Sequence, residues 1–484
     1  MSLGRQALRG GAITLMGQWT KYVVQLLSLV VLARLLSPDD FGVIGMVTVA
    51  VALGELVRDA GLTNGAIQRS AISRAEQSTL FYLNVAFGTA VALVIAALAY
   101  PLSAFYDVDQ VAPVMLVMGL IPIVSGLGAQ HLVDLTREFK FGRIASADVT
   151  ASLVATSAGI AAAALGAGVW SLVILQVTQA VVRTTVLLTG SSLRPGRPAP
   201  LREVAGVLRF GRNLFFVQLL DYASRNVDNL VIGRTAGAAS LGLYTRAYQL
   251  LLLPLQQINA PLTRVALPVL SRLKDTPDRF LHYLRIVTIA VSYLGVTVLT
   301  VCVVAAPEMI RIALGPQWGG AVDLFRALAV AGIFQAVGYV AYWLFMSLDR
   351  TGVHVRYALI AKPAVVVGFI VGAHFGEALG VAIAYSVVTA LTVPLSIVMA
   401  CRGTFVPTTF VLAIVGRAAT LGLVMSGGLW ASRDDAFGIG GWPTFAGTLV
   451  LVACIVLHPG YRRDLAGLRD VKNLVRRKPA LASA

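Results

Sequence analysis

The chain has 484 residues, of which 57% are hydrophobic and only 13% are charged. A soluble domain carries roughly 25% charged residues and a single core stops growing near about 250–300 residues, so a water-soluble fold is excluded and lipid is the expected solvent. The formal net charge of +16 does not call for a nucleic-acid partner, because excess Lys and Arg in a membrane protein marks the cytoplasmic loops.

Fourteen stretches of the chain are long and apolar enough to be transmembrane helices, which need about 20 mostly apolar residues. The first follows Arg5 and Arg9 and resembles a signal peptide, but its length and the further spans predict an uncleaved helix. The sequence therefore predicts an all-α polytopic membrane protein. The predicted spans are 11–33, 42–63, 79–100, 111–132, 144–165, 168–190, 213–233, 241–262, 284–305, 321–347, 355–374, 379–400, 408–430 and 441–458.

Basic residues are distributed unequally between the two sets of loops. With the N-terminus in the cytoplasm, only Arg34, Arg234, Arg311 and Arg433 fall on the external side. This asymmetry predicts both termini in the cytoplasm. The external loops are short, so they leave no room for an extracytoplasmic domain.

The two halves of the chain align without a gap when residue n is set against residue n + 200. Identities include the pairs Gln18/Gln218, Tyr22/Tyr222, Arg34/Arg234 and Gly42/Gly242. Six spans precede the offset, so both copies share one orientation and form a parallel repeat. The predicted organisation is a six-helix lobe at 1–190, a cytoplasmic linker with an interfacial amphipathic helix at 191–212, a second six-helix lobe at 213–400, two additional helices at 401–458 and a basic cytoplasmic tail at 459–484.

Polar side chains recur at helical spacing on the first and seventh spans. The first span carries Gln18, Lys21, Gln25 and Ser28, and the equivalent positions of the seventh carry Gln218, Asp221, Arg225 and Asp228. Charged groups at membrane depth are expensive and normally face a cavity or a partner. We therefore expect both helices to present these stripes to a central hydrated cavity.

Basic residues within the spans predict a cationic site for an anionic headgroup, because Arg and Lys match phosphate oxygens. The substrate-binding candidates are Lys21, Gln25, Arg225, Arg246 and Lys362. Internal ion pairing is the alternative, most directly for Arg225, which has a carboxylate one turn away on either side. Those carboxylates, Asp221 and Asp228, are themselves candidates for binding a coupling proton or sodium ion.

The remaining intramembrane charges have simpler interpretations. Arg183 and Arg326, like Lys362, are expected to extend from helix ends toward the headgroups. Glu55 and Asp148 are expected to make local hydrogen bonds.

Known enzyme and metal motifs are absent from the sequence. Cys302, Cys401 and Cys454 lie in or beside apolar stretches and are expected to be packed thiols. The five histidines are scattered, and there is no P-loop, GxSxG or HExxH. The sequence thus predicts a transporter without a cofactor or metal, driven by a gradient or by consumption of the product.

Several sequence blocks occur in order along the chain, and they include LARLLSPDDFGVIGMV (32–47), RDAGLTNGAIQRSAIS (58–73), TREFKFGRI (136–144), GAGVWSLVILQ (166–176) and PLTRVALPVLSRL (261–273). These blocks resemble the polysaccharide-exporter family of the multidrug, oligosaccharidyl-lipid and polysaccharide exporter superfamily, closest to its teichuronic-acid and colanic-acid branch. The resemblance implies a V-shaped two-lobed bundle that works by alternating access in the bacterial inner membrane. It also implies an undecaprenyl-pyrophosphate-linked oligosaccharide as the substrate, with membrane lipids and a polysaccharide polymerase machinery as partners and no nucleic acid.

Three other functions remain open at this stage. A drug or small-cation antiporter of the same superfamily would prefer an acidic cavity, whereas basic residues outnumber acidic ones in the predicted spans. A membrane polysaccharide polymerase would need a sizeable external loop, which the sequence lacks. A non-transporting scaffold would have its cavity closed by ion pairs.

Overall fold

A computed structural model describes residues 3–69, 71–433, 446–452 and 457–464. The described residues are mostly helical and include no β-strand, which confirms the predicted all-α class. Nine helices in this part of the chain are long and apolar enough to cross a membrane. Cys454, part of the last predicted span and residues 465–484 of the predicted tail lie outside the described residues.

The chain divides into two compact units. The first comprises Met1–Thr245 with Ala313–Trp318, and the second comprises Arg246–Ile312 with Gly319–Ala484. The helices up to the linker are α1 (Leu3–Leu35), α2 (Pro38–Asp59), α3 (Leu62–Gln68), α4 (Arg74–Tyr106), α5 (Val111–Met118), α6 (Ile121–Arg137), α7 (Phe141–Ala164) and α8 (Val169–Gly190).

Helix starts in the first unit follow from their capping residues. The Ser37 side chain accepts a hydrogen bond from the backbone N–H of Asp40, and the Asp40 carboxylate accepts one from the backbone N–H of Ser37, so α2 begins with a capping box. Ser73 and Glu76 form the same arrangement at the start of α4. Each box satisfies backbone donors that the first helical turn leaves without partners.

The turn between α7 and α8 is as short as the sequence predicts. Gly166 and Gly168 both adopt positive φ, at 80° and 54°, and the chain reverses within a few residues. The predicted division into spans 144–165 and 168–190 therefore matches the two helices. These helices pack against each other.

The linker at 191–212 packs onto the first unit. The backbone N–H of Ala199 donates to the carbonyl of Ala75 at 3.2 Å, and the amphipathic stretch begins α9 (Leu201–Leu273). Val204 and Val207 are buried in a cluster with Leu62, Ala66, Leu80 and Val133. Part of the apolar surface of this stretch is thus covered by protein, while Leu201 and Phe210 are exposed. Its position at the membrane interface stays a prediction.

The helical run α9 consists of two helices that meet at a kink and cover the seventh and eighth predicted spans. The loop predicted near 234–240 is reduced to one non-helical residue, Gly237, with φ 78° and ψ −177°. Only glycine adopts that conformation readily, so one helix ends there and the next begins in a new direction.

The second unit continues with α10 (Pro277–Val304), α11 (Ala306–Ala313), a 3-10 turn (Pro316–Trp318), α12 (Ala321–Ser347), α13 (Thr351–Cys401) and α14 (Thr408–Arg433). The helical run α13 consists of two helices that correspond to the eleventh and twelfth predicted spans and meet at the non-helical residues Gly376 and Glu377. The core of this unit includes Phe280, Trp343 and Phe345, and the Trp343 indole N–H donates to the Thr263 hydroxyl at 2.9 Å.

Helical structure continues beyond the predicted end of the last span at 458. Residues 459–464 are helical, and Asp464 is buried. Its carboxylate accepts two hydrogen bonds from Arg417, at 2.7 and 2.9 Å, and one from the Tyr293 hydroxyl at 3.0 Å. These contacts hold the segment against α10 and α14, where the sequence predicted the start of a cytoplasmic tail.

Candidate functional site

The predicted polar stripe of α1 is largely accessible from outside the first unit. Gln18 and Gln25 are exposed, and Lys21 is half-buried. Within the described residues Lys21 and Gln25 form no ion pair or hydrogen bond. Ser28 is the exception to the accessible stripe, because it is buried with 8% of its surface exposed.

The equivalent stripe of α9 repeats this burial pattern. Arg225 is exposed like Gln25, Asp221 is half-buried like Lys21, and Asp228 is buried like Ser28. The two copies of the repeat therefore orient these helices alike. The sequence placed all four positions of each stripe on one polar face, whereas in both copies the last position turns into the protein.

Arg225 pairs with Asp221 on the surface of the first unit. Its Nε donates to the carboxylate of Asp221 at 2.9 Å, and the two side chains are 76% and 46% exposed. Of the two carboxylates one turn away, Asp221 and Asp228, Arg225 thus pairs with Asp221, on its N-terminal side. Charged groups are costly to expose to lipid, so an ion pair this exposed suits a surface that faces water or a polar ligand.

Asp228 lies in a different environment from Asp221. One carboxylate oxygen accepts a hydrogen bond from the Tyr244 hydroxyl at 2.9 Å, and the other accepts one from the backbone N–H of Asn229 at 2.9 Å. The residue is 5% exposed. Both donors are neutral, so neither compensates the charge of this carboxylate, and burying an uncompensated charge is costly.

Two of the candidate cations belong to the second unit. Arg246 follows directly after the boundary in α9 and donates to the side-chain oxygen of Gln249 at 2.5 Å. Lys362 lies in α13 and is half-buried. The seven sequence-predicted site residues are thus distributed five to the first unit and two to the second.

Arg183 and Asp148 form an ion pair across α7 and α8. The Nε of Arg183 donates to the Asp148 carboxylate at 2.7 Å. The sequence predicted a snorkelling arginine and a locally bonded aspartate instead. A separation of 35 positions in the chain hides the contact, because only the hairpin of α7 and α8 brings these positions together.

A polar cavity of about 210 Å³ lies within the first unit, lined by residues of α2, α3, α6 and α8. Arg58 is central to it, with 9% of its surface exposed. It donates to Glu55 at 2.9 Å and to the side-chain oxygen of Asn84 at 3.3 Å, and it lies 3.7 Å from Asp59.

This cavity is the part of the molecule that the sequence interpretation missed. Glu55 was expected to bond locally, and its contact with Arg58 three residues later is local. The available signal was the run of three ionisable residues, Glu55, Arg58 and Asp59, at the end of a predicted span.

Comparisons with known proteins point in one direction. A family model described as "Polysaccharide biosynthesis protein" matches residues 31–323. The chain is 25% identical over 403 residues to the lipopolysaccharide biosynthesis protein WzxC of Escherichia coli K12, covering 82% of this chain and 81% of that protein. It is 24% identical over 307 residues to the succinoglycan biosynthesis transport protein ExoT of Rhizobium meliloti 1021, covering 62% and 61%.

A solved structure shares the fold. The lipid II flippase MurJ in an inward closed conformation superposes with a TM-score of 0.69 and 12% identity, covering 96% of this chain and all of that one.

Proposed function

The chain belongs to the polysaccharide biosynthesis protein family, and from that membership we propose that it flips a lipid-linked oligosaccharide across the bacterial inner membrane. The observation that carries the proposal is the exposed, charged surface on α9, where Arg225 and Asp221 pair within the seventh predicted span. A surface of that kind suits a substrate whose headgroup is polar and anionic. A transporter needs such a surface to bind its substrate but, unlike an enzyme, needs no catalytic residues beside it.

The pyrophosphate of an undecaprenyl-linked substrate supplies the anionic group in this proposal. Guanidinium and ammonium groups bind phosphate oxygens through charge-assisted hydrogen bonds. Lys21, Gln25 and Arg225 would make these contacts in the first unit, and Arg246 and Lys362 in the second. Lys21 suits the role because the described part of the chain gives it no carboxylate partner.

A coupling ion is the second part of the proposal. Asp221 is already compensated by Arg225, so Asp228, with its two neutral donors, is the stronger candidate for binding a proton. In the Asp228→Asn variant, flipping should no longer depend on an imposed pH gradient. Unchanged gradient dependence in that variant would remove Asp228 from the coupling scheme.

The orientation and the partners follow from the same proposal. Both termini would lie in the cytoplasm, as the loop charges indicate. The flipped intermediate would pass to a polysaccharide polymerase machinery at the external leaflet.

A leaflet assay tests the function. Cells lacking the gene are labelled for externally accessible lipid-linked glycan, and this pool is compared with the total lipid-linked glycan. We expect the glycan to accumulate in the cytoplasmic leaflet and complementation to reverse this. If the intermediate still reaches the outer leaflet but is not polymerised, the flippase proposal falls and a downstream role replaces it.

The same assay tests the cationic contacts. Lys21→Ala and Arg246→Ala should each lower complementation roughly tenfold or more, because a hydrogen bond to a charged group contributes about 1.5–3 kcal/mol. Lys274→Ala is the matched control, since Lys274 is paired with Asp349 in the exposed turn after α9. Full complementation by both test variants at normal membrane abundance would sink the cationic-site proposal.

A further inference from the structure

A second pocket, of about 180 Å³, lies in the first unit and shares no lining residue with the polar cavity described above. Three connections of the chain meet at it: those between α1 and α2, between α4 and α5, and between α7 and α8. Its lining includes Asp40, Gln110, Gly166, Gly168 and Trp170. The loop charges predict that all three connections lie on the external side of the membrane.

The turn between α7 and α8 gives this pocket a wall without side chains. Gly166 and Gly168, which have positive φ, both line it. A Cβ placed on Gly168 would lie 3.2 Å from the Oδ1 atom of Asp40. The glycine therefore allows this carboxylate oxygen to approach the backbone of the turn, close to the start of α8, where Trp170 lies.

Three polar side chains of the pocket have unused hydrogen-bonding capacity. The Oδ2 atom of Asp40 accepts from the backbone N–H and the hydroxyl of Ser37, at 2.9 and 2.7 Å. The Oδ1 atom of Asp40, the Gln110 amide and the Trp170 indole N–H form no hydrogen bond within the described part of the chain. A ligand with several hydroxyl groups can satisfy all three, because each hydroxyl both donates and accepts.

Trp170 adds an apolar surface to these polar groups, and its side chain is 39% exposed. A pyranose ring has a face of C–H groups and a rim of hydroxyls, so it can stack on an indole while its hydroxyls bind polar neighbours. An interfacial anchor, the common role of an exposed tryptophan in a membrane protein, needs neither Asp40 nor Gln110 beside it.

The size of the pocket restricts the ligand to a small unit. Pockets for drug-sized molecules have volumes of roughly 300–1,000 Å³, and this one has about 180 Å³. It therefore suits a single sugar ring better than a whole oligosaccharide.

The charge of the pocket restricts the kind of sugar. Among the described residues that line it, Asp40 alone is ionised, and its hydrogen-bond donors on Ser37 are neutral. The carboxylate repels a uronic acid or a phosphate. It attracts a hydroxyl of a neutral sugar, because a hydrogen bond to an ionised acceptor is stronger than one between neutral groups.

We propose that this pocket binds one neutral sugar ring of the glycan, stacked on Trp170 and hydrogen-bonded to Asp40 and Gln110. On the external side it receives the glycan end of the flipped substrate, whereas the proposed cationic contacts receive the pyrophosphate. The site deepens the proposed transport function and rests on it for its physiological role, but sugar binding itself is measurable without flipping.

The test uses the full chain in lipid nanodiscs, without the sugar-headed detergents that would compete for the pocket. Saturation-transfer NMR measures the binding of the methyl glycosides of glucose, galactose and mannose, with methyl glucuronide as the acidic probe and empty nanodiscs as the background. The variants are Trp170→Ala, Gln110→Ala and Asp40→Asn.

Two matched controls alter the same residue types outside the pocket. Trp19→Ala removes an exposed tryptophan of α1. Asp109→Asn removes an exposed carboxylate that is next to Gln110 in the chain but does not line the pocket. Both controls should bind the glycosides like the wild type.

We expect saturable binding of at least one neutral glycoside and weaker binding of methyl glucuronide. The affinity should fall roughly tenfold or more in Trp170→Ala and about threefold to tenfold in Gln110→Ala. Asp40→Asn should remove the preference for the neutral probe, because it retains the shape of the side chain without its charge. Gln110 is exposed and lies outside the helices, so its variant tests the site even if Asp40→Asn fails to fold.

Three results overturn the proposal. They are no saturable binding of any neutral glycoside to the folded wild type, binding that Trp170→Ala and Gln110→Ala leave unchanged, and equal binding of methyl glucuronide. The leaflet assay is independent of these measurements. Sugar binding without flipping would remove the transport function and keep the site, and flipping without sugar binding would do the reverse.

Discussion

Within the described part of the chain, the hydroxyl of Tyr244 is the only side-chain donor to the buried carboxylate of Asp228. Removing it with Tyr244→Phe leaves that oxygen without the donor in a buried position. A hydrogen bond to a charged group contributes roughly 1.5–3 kcal/mol, so we expect a clearly lowered thermal unfolding temperature. Thermal unfolding in detergent measures the shift.

Tyr100→Phe is the control for that substitution, because Tyr100 is among the exposed aromatic residues of α4. It should unfold at the wild-type temperature. Equal behaviour of the two variants would mean that the Tyr244 hydroxyl does not stabilise the carboxylate in the folded protein.

Variants of the ion pair of Arg225 and Asp221 can distinguish a role in substrate binding from a role in folding. Exposed pairs contribute about 0–1 kcal/mol, so Arg225→Ala should fold normally and any loss of flipping must come from the lost charge. The double exchange Asp221→Arg with Arg225→Asp retains the pair but reverses its direction. We expect it to remain inactive in the leaflet assay, because a substrate phosphate needs the cation at position 225. Restored flipping would show that pairing alone matters.

At the residue scale, the sequence predicts which side chains are accessible better than it predicts which side chains contact each other. The spacing on α1 and α9 identified Lys21, Gln25 and Arg225 as accessible polar positions, because side-chain direction follows from helical periodicity. Spacing says nothing of contacts between helices. The partner of Arg183 on α7 and the contact of Arg58 with Asn84 on α4 therefore could not be predicted.

The helical run α9 shows that a predicted loop can be as short as one residue. The sequence indicated two spans separated by a loop, and the structure has two helices that meet at a single non-helical residue, Gly237. The polar stretch between two apolar ones marks the boundary, but composition overestimates the length of the connection, because one glycine with a positive φ is enough to change the direction of the chain. In α13 two helices likewise meet at Gly376 and Glu377, where the positive φ of 50° belongs to the glutamate.

Gly237→Ala tests that interpretation. A φ of 78° with ψ of −177° costs a residue with a Cβ roughly 1–3 kcal/mol, so we expect a lower unfolding temperature. Gly416→Ala in α14 is the matched control, because Gly416 is exposed and a Cβ there would meet open space. Alanine in that helix interior should leave stability unchanged or raise it by up to about 1 kcal/mol. A Gly237→Ala variant as stable as the Gly416→Ala variant would contradict the backbone argument.

At the scale of the whole molecule, the 200-residue repeat has a structural counterpart within the first unit. A Cβ placed on Gly42 would overlap the carbonyl oxygen of Ala238, and one placed on Gly242 would overlap the carbonyl oxygen of Pro38. Residues 38 and 238, like residues 42 and 242, are related by the repeat offset. Equivalent segments of the two copies therefore pack against each other through equivalent atoms, which the alignment alone could not reveal because it says only that the segments are similar.

This reciprocal contact predicts how the two glycines respond to substitution. Gly42→Ala and Gly242→Ala should each lower stability by about 1–3 kcal/mol, because the added methyl group meets backbone that cannot rotate away. Residues that share one contact are not additive. Once the first alanine has forced the segments apart, the second should cost less, so the double variant should be less destabilised than the sum of the two.

Thermal unfolding of the two single variants and the double variant measures that coupling, with Gly416→Ala as the reference for a glycine in open space. Full additivity would mean that the two glycines lie at independent contacts and that the repeat-related segments do not close on each other. A coupling that vanishes only when lipid-linked substrate is added would have a different meaning. The substrate would then be separating residues 38–42 from residues 238–242, as expected if this contact opens during transport.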